Sequence, residues 1–407
     1  MATLLLIVIF TGYIGLGIPD SLLGSAWPEI CLELGIDQSL AWTITTPITC
    51  CTLISSLFSA QIIEKLGAKL VTIISTALTA TALFLTSFAG SSWAFILIGI
   101  PLGIGAGAID SALNNYVALH YKASHMNFLH CFYGVGVALS PYLMSIAISF
   151  MSWRDGYKLA SLIQLVITAI LAISSPLWKV HQKESQTEGA KSLNLLNGEN
   201  LSGTQKQLGS YKLIFKNPYC IPVGLVFTLA CVIECTCGLW ATTYLVSVKN
   251  ASTSDGALYL AVFYIGLALG RFLSGVLSSK LTPNKINLIG ILILLVATGS
   301  LLLPTATIYP ALAAIFLIGL GVGPLYPNMS FLTPEHFGEV NSQKAMGVQM
   351  AFAYIGVLLG PTLMGALSSA FGMEIFGIYM FLATVLTAIC YFIYTKFYKA
   401  QTAKNAD

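Results

Sequence analysis

The chain has 407 residues, of which 56% are apolar and 9% charged, against roughly a quarter charged in an average soluble domain. Its 19 lysines and arginines and 16 aspartates and glutamates leave a net charge of +3 at pH 7, too sparse for a phosphate-binding surface. Composition therefore excludes a nucleic-acid binder, a secreted enzyme and a disordered scaffold, and points to a chain that uses lipid as its solvent.

A helix needs about 20 residues to cross the hydrocarbon core. In chain order, apolar stretches of that length occur at 3–27, 39–63, 68–88, 93–119, 126–150, 157–178, 217–248, 254–279, 284–304, 308–333, 342–370 and 373–397. The expected fold is all-α, with twelve transmembrane helices. A β-barrel is excluded because the runs are continuously apolar and too long for tilted strands. The first stretch lacks a basic n-region and a small-residue cleavage site, so it is expected to stay.

With the amino terminus inside, 15 of the 19 basic residues, from Lys65 and Lys69 to Lys404, fall on the inner side. Arg154, Lys158 and Lys249 fall outside and Arg271 lies within span 8. This asymmetry places both termini in the cytoplasm, in a plasma (inner) membrane. The nine cysteines are scattered, without histidines at zinc-type spacing. They read as small apolar fillers, and neither a metal nor a cofactor is expected.

The one long polar stretch, 179–216, carries six lysines and reads as a cytoplasmic linker between six-helix bundles at 1–178 and 217–407. A shift of 220 residues sets Leu97-Ile98-Gly99 on Leu317-Ile318-Gly319. The same shift makes Phe132, Gly136, Val137, Leu139, Pro141, Leu143 and Met144 recur as Phe352, Gly356, Val357, Leu359, Pro361, Leu363 and Met364. Duplication of a six-helix unit follows. Such parallel repeats imply a secondary transporter whose halves rock around a site lined by spans 1, 4, 5, 7, 10 and 11.

The loop Glu64-Lys65-Leu66-Gly67-Ala68-Lys69 and the segment Gly270-Arg271-Phe272-Leu273-Ser274-Gly275 resemble loop signatures of the major facilitator superfamily. A closer resemblance is to its fucose permease branch of sugar and proton symporters. That branch has an Asp followed by two Leu in the first helix, matched by Asp20-Ser21-Leu22-Leu23, and an acid-Thr-Ala-x-Asn run in the fourth, matched by Asp110-Ser111-Ala112-Leu113-Asn114. In the fifth helix the branch presents a Gln and an Asn to sugar. Here His130 and Tyr133 stand in those places, after Met126-Asn127 and before Gly136. The resemblance implies a sugar-like substrate, and a functional carboxylate at Asp110.

Charge at bilayer depth costs ~2.5–3.5 kcal/mol on insertion scales, so ionisable groups inside spans mark function. Asp20 shares a helical face with Tyr13, Gly17, Gly24 and Trp27; it serves coupling, or a local hydrogen bond near Pro19. Asp110 follows the ridge Gly99, Gly103, Gly107, one turn before Asn114, as a coupling acid or an interhelical clamp. Glu234, with no cation within a turn, is expected to be an unpaired carboxyl and a proton carrier, or to bond a neighbouring backbone or hydroxyl group. Trp240 and Tyr244 form a pair suited to stacking on a sugar ring, or else both belong to the outer aromatic belt. His130, either a substrate or proton contact or a structural residue, shares a face with Tyr133 and Gly134. Asn328 and Gln349 are further candidates for substrate. Lys65 and Arg271 are assigned to cytoplasmic gating, with Arg271 snorkelling or bonding helix ends. Gly321-Val322-Gly323-Pro324-Leu325-Tyr326-Pro327 lacks the Lys-Ser/Thr of a phosphate loop and reads as a bend or a place of close packing.

The resulting expectation is a monomeric transporter that performs no covalent chemistry and imports a neutral polar solute, a hexose, with a proton. Sodium remains an alternative coupling ion, since carboxylates with Asn can ligate a hard cation. A drug and proton antiporter needs similar acids but a roomier cavity rich in Met and Phe. A non-transporting sensor is disfavoured because the 179–216 linker is too short and polar for an output domain.

Overall fold

A computed structural model describes residues 2–35, 41–178, 211–251, 256–304 and 307–404. The described residues are helical almost throughout and contain no strand. Before the linker come α1 (Ala2–Leu34), α2 (Ala41–Thr86), α3 (Ser92–His120), α4 (Ala123–Phe150) and α5 (Trp153–Ile173). After it come α6 (Tyr211–Lys216), α7 (Cys220–Lys249), α8 (Gly256–Leu277), α9 (Pro283–Ser300), α10 (Tyr309–Val322), α11 (Leu325–Phe331), α12 (Thr333–Phe337), α13 (Glu339–Phe371) and α14 (Ile375–Lys404). Of the expected linker, 179–210 lie outside the described residues, and α6 forms its end.

Among the described residues, ten helical stretches are long and apolar enough to cross a membrane. One of them, Thr43–Thr86, has 44 residues, about 66 Å at 1.5 Å per residue and twice the hydrocarbon thickness. It cannot be one span. Its helix breaks at Gly67, at φ 78° and ψ 151°, a conformation that side chains other than glycine adopt only under strain. A Cβ on Gly103 of α3 would meet Cys51 from the first arm of α2, and one on Gly105 would meet Ser75 from the second. Two arms at one level of α3 mean that the chain turns back. Counting α2 twice and adding α8, of 22 residues, gives the twelve expected spans.

The chain divides into two compact units. Unit 1 is Met1–His120 with Phe132–Ser210, and unit 2 is Tyr121–Cys131 with Tyr211–Asp407. The duplication seen in the sequence reappears inside each unit as a repeated contact. In unit 1 a Cβ at Gly136 of α4 would lie 2.2 Å from the Ile14 carbonyl oxygen of α1. In unit 2 a Cβ at its counterpart, Gly356 of α13, would lie 2.1 Å from that of Thr228 of α7. Between helices bathed in lipid there is little hydrophobic drive, so association relies on this backbone approach. For the same reason Phe58, Phe88, Leu162 and Val296 stay exposed; lipid chains are an equivalent cover.

Beyond the candidate span of α1, which ends at Trp27, Glu33 meets the start of α5. Arg154 Nη2 lies 2.7 Å from Glu33 Oε1, Trp153 Nε1 donates to Glu33 Oε2, and Arg154 Nη1 donates to the Ser87 and Ala89 carbonyls at 3.0 Å each. The hydrogen bond from Arg154 outweighs desolvation and, with that from Trp153, holds the Glu33 carboxyl below its ordinary value. Between α10 and α11 the helix is interrupted at Gly323 and Pro324, both of which keep right-handed helical dihedrals. Pro324 and Pro327 lack the backbone N–H that would continue the ladder.

Candidate functional site

Unit 1 brings together two carboxyl groups from α1 and α3 and three donors. Asp110 is 6% exposed. It accepts from Tyr13 Oη at 3.0 Å and from Asn114 Nδ2 at 2.8 Å. Asn114 Nδ2 also donates to the Asp110 backbone carbonyl at 3.0 Å, one turn back. Tyr13 and Asn114 are wholly buried. Asp20 is exposed, and Tyr133 Oη of α4 donates to its Oδ2 in a short hydrogen bond. Each acid is thus held by a tyrosine hydroxyl. The Asn114 amide, expected at substrate, is bonded to Asp110. Tyr133 likewise bonds Asp20.

Unit 2 overturns two expectations. Glu234 is not unpaired, since Arg271 Nη2 donates to its Oε1 at 3.1 Å and to its Oε2 at 3.2 Å. Arg271, expected to snorkel or to bond helix ends, has a side chain that is 6% exposed and points across to Glu234 of α7. The physical reason is lateral. α7 and α8 lie side by side, so the cation that balances Glu234 comes from the neighbouring helix and not from a turn away. Leaving either charge alone at this depth would cost several kcal/mol.

Two aromatic candidates also have partners within unit 2. Tyr244 is 3% exposed and stacks on Phe376 of α14, centroids 4.9 Å apart. Trp240 is partly buried and its Nε1 donates to the Pro361 carbonyl of α13 at 3.0 Å. The indole packs α7 on α13 beside Gly365. Asn328, expected at substrate, is instead fully buried in a polar network. It accepts from Asn127 Nδ2 at 2.7 Å and donates to Asn287 Oδ1 at 2.9 Å and Ser274 Oγ at 3.2 Å.

His130 is buried, edge-on to Tyr326 with centroids 5.1 Å apart. Gln349 accepts from Thr333 Oγ1 at 2.6 Å, and its buried Nε2 has no hydrogen-bond acceptor among the described residues. Lys65 is exposed beside the Gly67 turn. The sequence reading missed Tyr326, which also packs edge-on to Phe227; its only local signal was a position inside the glycine and proline bend. Tyr13 was placed on the right face of α1 without its partner, Asp110. Among the described residues, no three His, Cys, Asp or Glu side chains gather as a metal site.

A family profile described as Major Facilitator Superfamily matches residues 6–342 and 305–407. "Bypass of stop codon protein 6" of Saccharomyces cerevisiae is 23% identical over 98% of this chain and 83% of its own length. A "Putative glucose/galactose transporter" of Helicobacter pylori is 26% identical over 76% and 75%. Among solved structures, a variant of the E. coli fucose:proton symporter FucP superposes with a TM-score of 0.71 at 16% identity, covering 96% of this chain and 98% of that one.

Proposed function

This chain belongs to the major facilitator superfamily and is an integral membrane transporter, and we propose that it imports a neutral, hexose-like solute with a proton by alternating access. The observation that supports this reading is the tyrosine-held pair of acids in unit 1, Asp20 with Tyr133 and Asp110 with Tyr13. Carboxyl groups inside spans suit reversible protonation. Hydroxyl and amide donors beside them are the groups that recognise a sugar. The naming of the H. pylori relative as a glucose/galactose transporter and of FucP as a fucose:proton symporter agrees with this substrate class.

Asn114 donates to the Asp110 carboxylate, an arrangement compatible with an acid that takes and releases a proton. In this reading the protein works as a monomer in the plasma membrane with both termini in the cytoplasm, and the solute leaves chemically unchanged. The test is uptake of a labelled hexose panel into proteoliposomes under imposed proton or sodium gradients. Accumulation driven by protons supports the proposal. Accumulation driven by sodium alone, or extrusion of lipophilic cations in place of hexose uptake, overturns it.

A further inference from the structure

The short helix α6 precedes Cys220, the first residue of the candidate span of α7, and it is fastened to the end of unit 2. Asn217 Nδ2 donates to the His336 carbonyl of α12 at 3.0 Å, and Asn217 Oδ1 accepts from the Tyr219 backbone N–H at 2.9 Å. The Tyr219 ring stacks on His336, centroids 4.8 Å apart. It also lies 6.1 Å from the ring of Tyr394, one turn before Tyr398, where the candidate span of α14 ends. Beside them Lys344 of α13 sits 5.5 Å from the centre of the Tyr211 ring. α6 is therefore held at the level where two spans end, which is the level of lipid headgroups.

The surface of α6 is unlike that of a helix in water. Of its residues only Ile214 is buried, while Leu213 and Phe215 are 59% and 57% exposed. Helical geometry sets Lys212 and Lys216, one turn apart, on the face opposite Ile214, with Leu213 and Phe215 on the flanks. Both lysines are exposed, and among the described residues neither forms an ion pair. The sequence from Leu201 to Ile233 contains no acid. Of the acids on α12 and α13, Glu335 accepts from Tyr398 Oη at 2.6 Å and Glu339 is exposed at the start of α13. The end of α14 repeats the pattern, with Phe392 and Phe397 exposed and Lys396 Nζ 4.8 Å from the centre of the Phe392 ring. Apolar flanks call for hydrocarbon, and lysines whose stems lie along such flanks place their charge at the phosphate level. An anionic lipid supplies both partners at once.

We propose that α6 is an interfacial anchor for anionic lipid, in which Lys212 and Lys216 bind lipid phosphate groups while Leu213 and Phe215 rest against the adjoining acyl chains. A zwitterionic lipid offers the same hydrocarbon, but its own cation competes for the phosphate, so the site selects a headgroup of net negative charge. Asn217 and Tyr219 pass this hold to α12 and α14 through His336 and Tyr394. Lipid thereby steadies the end of unit 2 at which the chain rejoins the bundle after the linker. The anchor is independent of the solute and of the coupling ion.

Two measurements on the full-length protein test the anchor. In detergent micelles titrated with phosphatidylglycerol, the thermal midpoint of the wild type should rise, and phosphatidylcholine should raise it less. Lys212→Gln/Lys216→Gln should increase the phosphatidylglycerol concentration giving half of that rise by about tenfold or more, the scale of two lysine contacts at a membrane surface. Lys212→Arg/Lys216→Arg keeps the charge and should keep the response. In about 1 M salt, where screening acts within about 3 Å, the difference between wild type and the glutamine variant should shrink. An unchanged response in the glutamine variant, or an equal effect of both lipids on the wild type, overturns the phosphate contact. The second measurement places Phe215→Trp in phosphatidylglycerol nanodiscs, where its emission above that of the six native tryptophans should be quenched by lipids brominated on the acyl chain and little by acrylamide. Quenching by acrylamide alone would put α6 in water. Protection from both quenchers would mean that protein covers it, either residues 179–210 or a second copy of the chain, and each of these results overturns the anchor.

Discussion

Tyr13 of α1 donates its hydroxyl proton to Asp110 of α3 at 3.0 Å, joining two helices of unit 1 through a group that sits 97 positions away in sequence. Both side chains are buried. Tyr13→Phe keeps the ring and removes the bond, leaving Asn114 as a remaining donor to the carboxylate. The expected loss is ~0.6–1.7 kcal/mol, the range measured for hydrogen bonds between membrane helices. Thermal unfolding in detergent should register it as a lower midpoint, and an unchanged midpoint would mean that the hydroxyl contributes nothing to the packing of α1 on α3.

The coupling role of Asp110 has a sharper readout. Asp110→Asn imitates the protonated acid and cannot cycle. Gradient-driven accumulation of hexose should vanish, while exchange of internal for external solute persists, because exchange requires no deprotonation. If Asp110 is only a clamp, Asn keeps most of its hydrogen bonds and both modes survive. Retained accumulation would pass the role to Asp20 or Glu234.

Trp240 separates packing from recognition. Its indole N–H is committed to the Pro361 carbonyl, so Trp240→Phe should lower stability by about 1 kcal/mol and leave hexose affinity within twofold. A tenfold or greater loss of affinity in a variant that remains folded would return the ring to the solute site.

Glu33 sets a pH dependence outside the membrane-spanning segments. Its carboxyl is held below the ordinary value by hydrogen bonds from Arg154 and Trp153. A depressed folded value adds stability that is complete above the ordinary glutamate range and disappears as pH falls through the lowered one. The wild type should therefore lose thermal stability on strong acidification, and Glu33→Gln should lack this part of the pH profile. The side chain is 44% exposed, so the difference at neutral pH should be no more than a few degrees, the scale of a surface ion pair. Identical pH profiles for the two proteins would show that the clamp carries no linkage.

The sequence by itself determined the spans, the duplication and the identity of the deep acids. Lipid makes these local properties: a stretch of about 20 apolar residues crosses wherever it stands, and a carboxyl within it is conspicuous without knowledge of its surroundings. Even the repeated glycines were legible, because a 220-residue shift aligns them directly. What a side chain touches across the helix interface was decided only by the tertiary structure. Glu234 read as unpaired because its cation, Arg271, lies 37 positions on, and helical periodicity reports neighbours only a turn away. Tyr244 and Trp240 lay on faces that suit lipid, a neighbouring helix or a solute equally well. Apolar lipid and apolar protein present the same pattern to the sequence, and only the packing of α13 and α14 against α7 chose between them.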